Sequence, residues 1–231
     1  MALSDKKILS EIKNKNIIIS PFKRENLATS SYDVTLGDYY YREQRPERYS
    51  PDIFNIYSEK DMNHVWSAKD FKKAKKASEV FKKYKFDFVG INPDDKVILL
   101  KPGETILAHT NEFIGGKNHI TTMMKARSSM GRSFIEVCKC AGWGDVGYVN
   151  RWTMEITNNS RNYSIPLIVG RRIAQIVFFE TGEIESVDYS QITNSKYQSG
   201  GELKDLQKKW KPEDMLPKLY KDRDIKIKSA K

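Results

Sequence analysis

Three stretches carry side chains whose types and spacing suit chemistry on an anionic ligand. In Lys125-Ala126-Arg127-Ser128-Ser129-Met130-Gly131-Arg132, two arginines five residues apart enclose two hydroxyls and a glycine. Guanidinium forks grip oxyanions bidentately, and hydroxyls with main-chain N–H groups can complete the cradle. A polar loop with solvated arginines has the same composition, so composition leaves both readings open. The second stretch is Ala141-Gly142-Trp143-Gly144-Asp145-Val146-Gly147-Tyr148, running on to Trp152-Thr153-Met154-Glu155-Ile156. Its glycines permit close backbone approach to a ligand, and Asp145 and Tyr148 could hold a sugar hydroxyl and its ring. Glu155 stands between two apolar residues in a strand-like run, so alternation places it on the face opposite theirs. Taken alone, that describes an outward, solvated carboxylate. The third stretch is Tyr189 with Lys196-Tyr197-Gln198, followed by Ser199-Gly200-Gly201. A lysine and aromatics before a glycine hinge could close over a triphosphate, or belong to an ordinary tail.

These stretches need a framework, and the pattern predicts one made mostly of strands. Leu3, Ile8, Leu9 and Ile12 fall at helical spacing behind Ser4 and Asp5, which predicts a short N-terminal helix. Ile17–Ile19, Tyr32–Leu36 and Tyr39–Tyr41 are β-branched or aromatic runs between turn residues. From Lys96 to Glu180 the pattern predicts strands at Val97–Leu100, Thr105–Ala108, Phe134–Val137, Trp152–Ile156, Ile165–Val169 and Ile173–Phe179. Many short strands at regular spacing indicate a barrel or jelly roll. Residues 45–92 read as an insertion. Within it Ser67 and Asp70 suggest a capping box, and Phe71, Ala74, Ala77 and Phe81 suggest an amphipathic helix under a lysine face. The organisation expected is one all-β domain over 1–201 and a basic C-terminal tail or lid over 202–231.

Charge is unevenly spread. The net charge is +10 over 231 residues, yet Lys69–Lys85 carries a surplus of six and Lys204–Lys231 a surplus of five, leaving the rest at −1. A nucleic-acid reader concentrates charge on its folded body, so nucleic acid is not the expected partner. No apolar run is long enough to cross a bilayer, and the N-terminal residues lack a signal core. Cys138 and Cys140 suit no disulfide framework, which places the chain in a reducing, cytoplasmic compartment. Their spacing, and the lack of an H-x-E partner at His64, His109 or His119, also fails the pattern of zinc-dependent deaminases.

The order of the pieces resembles the dCTP deaminase family of the dCTP deaminase and dUTPase superfamily. The resemblance is carried by Met1–Leu9, Pro21-Phe22, Ser30–Gly37, Arg127–Arg132, Ala141-Gly142-Trp143, Asp145, Glu155, Arg171–Gln175, and Tyr189 with Lys196–Gln198. It implies a distorted, dUTPase-type β-barrel assembled as a homotrimer, acting on deoxycytidine triphosphate with Mg2+ held mainly by the triphosphate. It further implies that Glu155 shuttles a proton from water to cytosine N3, and that Ser128 and the Ala141 carbonyl position that water. Arg132 would orient Glu155 from, or near, a neighbouring subunit. Arg127, Ser129, Lys196 and Gln198 would contact phosphates, and Asp145 the 3′-hydroxyl. Tyr148, Trp152, Gln175 and Tyr189 complete the expected substrate contacts. Ala141-Gly142-Trp143 is similar to the bifunctional branch, which continues to dUMP and pyrophosphate.

The chain departs from the family at several positions. Trp152 stands where a smaller aliphatic residue is usual, Gly144 where isoleucine is common, and Cys138 and Cys140 where histidine and threonine are usual. Two other readings stand beside the deaminase: a dUTPase whose Trp152 blocks cytosine, and a trimeric, non-enzymatic protein whose basic segments bind a polyanion. Glu155 speaks against the first, because a plain dUTPase needs no carboxylate there.

Overall fold

The structure is a computed structural model, of which residues 1–46, 52–192, 196–198 and 200–225 are described. Expectations for 47–51, Ser199 and 226–231 lie outside the described residues. Helix α1 (Asp5–Lys13) forms where its apolar spacing predicts, capped by Ser4, which accepts from the Lys7 N–H at 3.3 Å. Strands β1 (Ile17–Ser20) and β2 (Tyr32–Arg42) follow, and β2 joins two runs expected separately into one strand. The insertion holds α2 (Glu59–Val65), β3 (Lys72–Lys73), β4 (Lys75–Lys76) and α3 (Ala77–Val80). The remaining strands are β5 (Lys96–Leu100), β6 (Thr105–Gly116), β7 (Ile120–Ala126), β8 (Ile135–Glu136), β9 (Trp143–Gly144), β10 (Val149–Asn158), β11 (Ile165–Ile168) and β12 (Arg172–Glu180). Between β7 and β8 lies the short α4 (Ser128–Arg132), and after β12 comes α5 (Leu203–Lys209).

Nine strands form one sheet in the order β8-β10-β6-β2-β12-β7-β9, with β1 also paired to β6 and β3 to β2. A second sheet runs β11-β5-β4. The architecture is mostly β, with the large sheet curled into a half-barrel. Inside it lies one continuous apolar core that includes Ile8, Tyr32, Leu36, Ile106, Ile114, Met154, Ile156 and Phe178. Among the described residues no helix is long and apolar enough to cross a membrane.

Two elements differ from expectation. No amphipathic helix spans Ser67–Phe81. Ser67 takes φ 44° and its carbonyl accepts the Asp70 N–H in a turn. Lys72-Lys73 then pairs with Tyr39-Tyr40, and Lys75-Lys76 with Lys96-Val97. Ala74, Ala77 and Phe81 are buried all the same. Their spacing fits the inward positions of two short lysine strands and a final helical turn as well as it fits a helix, and lysines protect such sheet edges from pairing further. Strand β7 carries no alternating strand signature in the sequence: Ile120-Thr121-Thr122 are buried in succession, so the two-residue alternation of a half-buried strand is missing.

The segment after residue 202 lies against the sheet. Leu206 packs with Phe113 and Val149, and Met215 and Leu216 pack with Tyr41, Met62 and Leu107. The Trp210 ring centroid is 4.7 Å from that of His109, and the Arg151 guanidinium lies 4.7 Å over the same indole. His109 is fully buried. Its Nδ1 lies 2.8 Å from the Thr110 carbonyl, and its Nε2 accepts the Tyr39 N–H at 3.3 Å, which fixes the neutral tautomer.

Burial lowers the His109 pKa from 6.5 to about 4, with Arg151 adding to the effect. A depressed histidine costs nothing above pH 6.5. As pH falls towards 4, the unfolded chain takes up a proton that the folded chain refuses, which removes up to about 3 kcal/mol of stability. Urea midpoints measured between about pH 7 and pH 4.5 should therefore fall more steeply for the wild type than for His109→Gln. Parallel slopes would contradict this.

Candidate active site

Strand β10 is paired with β6 on one side and β8 on the other, with Met154 opposite Ala108 and Glu155 opposite Leu107. Met154 and Ile156 are fully buried in the core, so the pleat turns Glu155 to the other face. That face is not bulk water. Glu155 and Leu107 line a cleft of about 810 Å3, together with Ala141, Asp145, Tyr148, Trp152, Tyr189 and Lys196. Seven of the thirteen residues expected at the site thus converge on one cavity within a single chain.

Burial pushes the Glu155 carboxyl above the ordinary carboxylate value. A main-chain hydrogen bond and the charge of Lys139 pull the other way, more weakly. A carboxylate so placed is a stronger proton acceptor than a solvated one, because it holds its proton more firmly. Tyr148 and Tyr189 are likewise shifted up by burial, so both phenols stay neutral.

The loop entering the cleft is held in an unusual backbone. Phe134, Cys138, Lys139 and Cys140 all take positive φ, between 39° and 70°, without being glycine. Left-handed non-glycine residues cost free energy and persist where surrounding contacts over-determine them. Here the Cys138 N–H donates to the Glu155 carbonyl at 3.2 Å and the Ala141 N–H to the Cys138 carbonyl at 2.6 Å, tying the loop to β10. Gly142 then passes so close to β7 that a Cβ would lie 2.4 Å from the Met124 carbonyl oxygen. The buried Cys138 thiol is pushed up and stays protonated.

The other expected residues lie apart from this cavity. Ser128, Ser129 and Arg132 are exposed on α4 and do not line it. Arg127 is paired with Asp33 at 3.3 Å, and Arg172 holds the same carboxylate at 3.0 Å. Gln175 sits on β12 between Asp33 and Lys125 in register. Gln198 is buried behind the cleft, where its amide accepts from the Val149 N–H at 2.8 Å and donates to the Gly147 carbonyl at 3.0 Å. In this chain its side chain braces the β10 entry.

Residues that the motifs did not indicate also build the cavity. Phe54, Ile56 and Trp66 come from the insertion, and Met215, Pro217 and Leu219 from the C-terminal segment. Lys196, the lysine of the cleft among the described residues, is ion-paired with Asp222 of that segment. Only the apolar character of these residues, set in otherwise polar and charged stretches, could have marked them.

The fold and cleft place the chain among mostly-β proteins that present a strand-borne, desolvated carboxylate to a small-ligand cavity. A family model described as dCTP deaminase-like matches residues 2–181, and the chain belongs to that family. A relative from Methanocaldococcus jannaschii named dCTP deaminase, dUMP-forming is 30% identical over 205 residues, covering 85% of this chain and 91% of the relative. One of the same name from Hydrogenobaculum sp. is 34% identical over 188 residues, covering 80% and 86%. The crystal structure of 2'-deoxycytidine 5'-triphosphate deaminase from Agrobacterium tumefaciens aligns with a TM-score of 0.50 and 17% identity, over 77% of this chain. It covers 47% of that longer chain, so the present chain spans about half its length and the likeness concerns the fold.

The site geometry makes a direct prediction about Glu155. Followed by 13C NMR, its carboxyl should titrate above the 4.5 of an ordinary glutamate. A midpoint at or below that value would show the carboxylate to be solvated.

Proposed function

We propose that the protein hydrolyses the 4-amino group of dCTP and carries the product on to dUMP and pyrophosphate. The observation that carries this reading is the desolvated Glu155 carboxylate, set in one cleft with Ala141, Asp145 and Tyr148. Glu155 takes a proton from water and delivers it to cytosine N3. The hydroxide adds at C4, the C4 hydroxyl proton passes to the amino group by way of Glu155, and ammonia leaves as the C4 oxygen becomes the uracil carbonyl. General acid–base help of this kind is worth about 10²–10⁴-fold. Asp145 lies at the sugar and activates a second water for attack on the α-phosphate, which releases pyrophosphate.

Ser128 and Arg132 are assigned to the water and to the orientation of Glu155. They stand away from the cleft of their own chain, so a neighbouring copy supplies them, and the working unit is a homotrimer. Arg127, Ser129 and Lys196 meet the phosphates. Lys196 is paired with Asp222, so an arriving triphosphate exchanges one anion for another at that ammonium. Residues 1–201 form the catalytic domain, and the segment beyond covers part of its cleft.

The triphosphate arrives with Mg2+, which neutralises charge on its oxygens. Among the described residues no group of three or more His, Cys, Asp or Glu is arranged to hold a metal. Asp145 and Glu155 are the carboxylates in the cleft among those residues, which fits an ion carried mainly by phosphate oxygens.

Incubation with dCTP and Mg2+ should yield ammonia and pyrophosphate in equal amounts, with dUMP as the nucleotide. Accumulating dUTP without pyrophosphate would remove the second step, and absence of ammonia would remove the first. Glu155→Gln should lower ammonia release at least about 100-fold while nucleotide still binds in calorimetry. Unchanged turnover would refute the role given to Glu155.

A further inference from the structure

Gly144 and Trp152 share one volume in the wall of the cleft. A Cβ on Gly144 would lie 2.5 Å from Trp152 Cη2 and Cζ2 and 2.4 Å from Thr122 Oγ1. The outer edge of the indole therefore fills the space that a side chain at position 144 would need. Trp152 does not stand out into the cavity to obstruct a base: it is 4% exposed. The β10 register shifts between Arg151 and Thr153, and the Trp152 N–H leaves the ladder to donate to Thr110 Oγ1 at 2.9 Å. Its Nε1–H donates to the Ile114 carbonyl at 2.9 Å. Thr121 Oγ1 donates to the Gly144 carbonyl at 2.7 Å, so the receiving side is also fixed. With both edges seated, the indole has a single orientation.

What that orientation presents to the site is a ring. Tyr148 meets Trp152 with centroids 5.3 Å apart at 76°, and meets Tyr189 at 5.4 Å and 88°. Tyr148 and Tyr189 both line the cleft that holds Glu155. Edge-to-face pairs of this kind are favourable beyond simple burial and are directional. An aliphatic residue at 152 with a larger residue at 144 would fill the same volume but offer no ring to Tyr148. The polar edge of Trp152 is spent on Ile114, so its influence on a ligand passes through its neighbour.

We propose that Trp152, admitted by Gly144, is a positioning residue that holds the Tyr148 ring in place against the nucleoside. This rests on the reading of the cleft as the nucleotide site. Holding a wall in place affects substrate and transition state alike, so the effect falls on KM and spares kcat.

The test is a double-mutant cycle read in KM, kcat and thermal midpoint with dCTP. Trp152→Val should raise KM about 10-fold with kcat within about 2-fold, the size expected for losing one aromatic pair. In a Tyr148→Ala background the same substitution should change KM by less than about 2-fold. Because the Thr122 hydroxyl also crowds position 144, Gly144→Ile/Trp152→Val/Thr122→Ala should recover the thermal midpoint lost by Trp152→Val, without recovering KM. Equal KM effects in both backgrounds, an unchanged KM, or KM recovered along with the midpoint would each overturn the proposal. Should Trp152→Val fail to fold, Trp152→Phe decides, with a smaller KM rise that again vanishes beside Tyr148→Ala; a rise that persists there overturns it. Failure of the parent reading would look different, because the wild type itself would then neither bind nor turn over dCTP.

Discussion

Taking a carboxylate out of water is costly, and the chain does so at Glu155. The arrangement is enforced by its neighbours: Met154 and Ile156 are locked in the core, and a strand cannot rotate one side chain without moving the next. Leu107 opposite and the aromatic wall of Tyr148 and Trp152 narrow the access of solvent to the other face. Among the described residues the cation acting on Glu155 is Lys139, and it does so more weakly than burial. A buried carboxylate in that condition binds a proton more firmly than a solvated one, and polar groups that supply charge or a hydrogen bond favour its ionised form. Under the proposed function, those polar groups come from substrate, water and a second copy of the chain.

The C-terminal segment adds a second constraint. Its Trp210 sits between His109 and Arg151, while Met215 and Leu216 cover Tyr41 and Leu107, the residue facing Glu155 across the sheet. The same segment delivers Pro217 and Leu219 to the cleft and Asp222 to Lys196. Residues that stabilise the sheet from outside therefore also shape the cavity. Its basic composition concealed this, since an anchor of four or five apolar residues scarcely alters the charge count.

Much of the framework was legible because it is periodic. The α1 helix shows its spacing and cap, and β5, β10, β11 and β12 show β-branched runs between turns. Strand β7 was hidden by burial on both faces, and the 72–81 region was misjudged because alanine and phenylalanine three and four apart fit either geometry once strands are only two residues long. At the site, motif order pointed to Ala141, Asp145, Tyr148, Trp152, Glu155, Tyr189 and Lys196, which the fold brings together. Residue types could not show that Gln198 would be spent on the main chain, or that Arg127 would be spent on Asp33. Those are tertiary outcomes. Nor could sequence show that Gly144 and Trp152, two separate departures from the family pattern, are one exchange of volume.

The central claim is that Glu155 works with the Ser128–Arg132 loop of another copy of the chain. It is tested most directly by mixing. Glu155→Gln and Ser128→Ala proteins, each inactive alone, are unfolded together, refolded and assayed for ammonia release from dCTP. Random assortment gives sites with both halves intact in about a quarter of cases if the site lies between copies, so the account predicts substantial recovered activity. A mixture as inactive as its components would contradict it, placing both residues on one chain's site or neither in the chemistry.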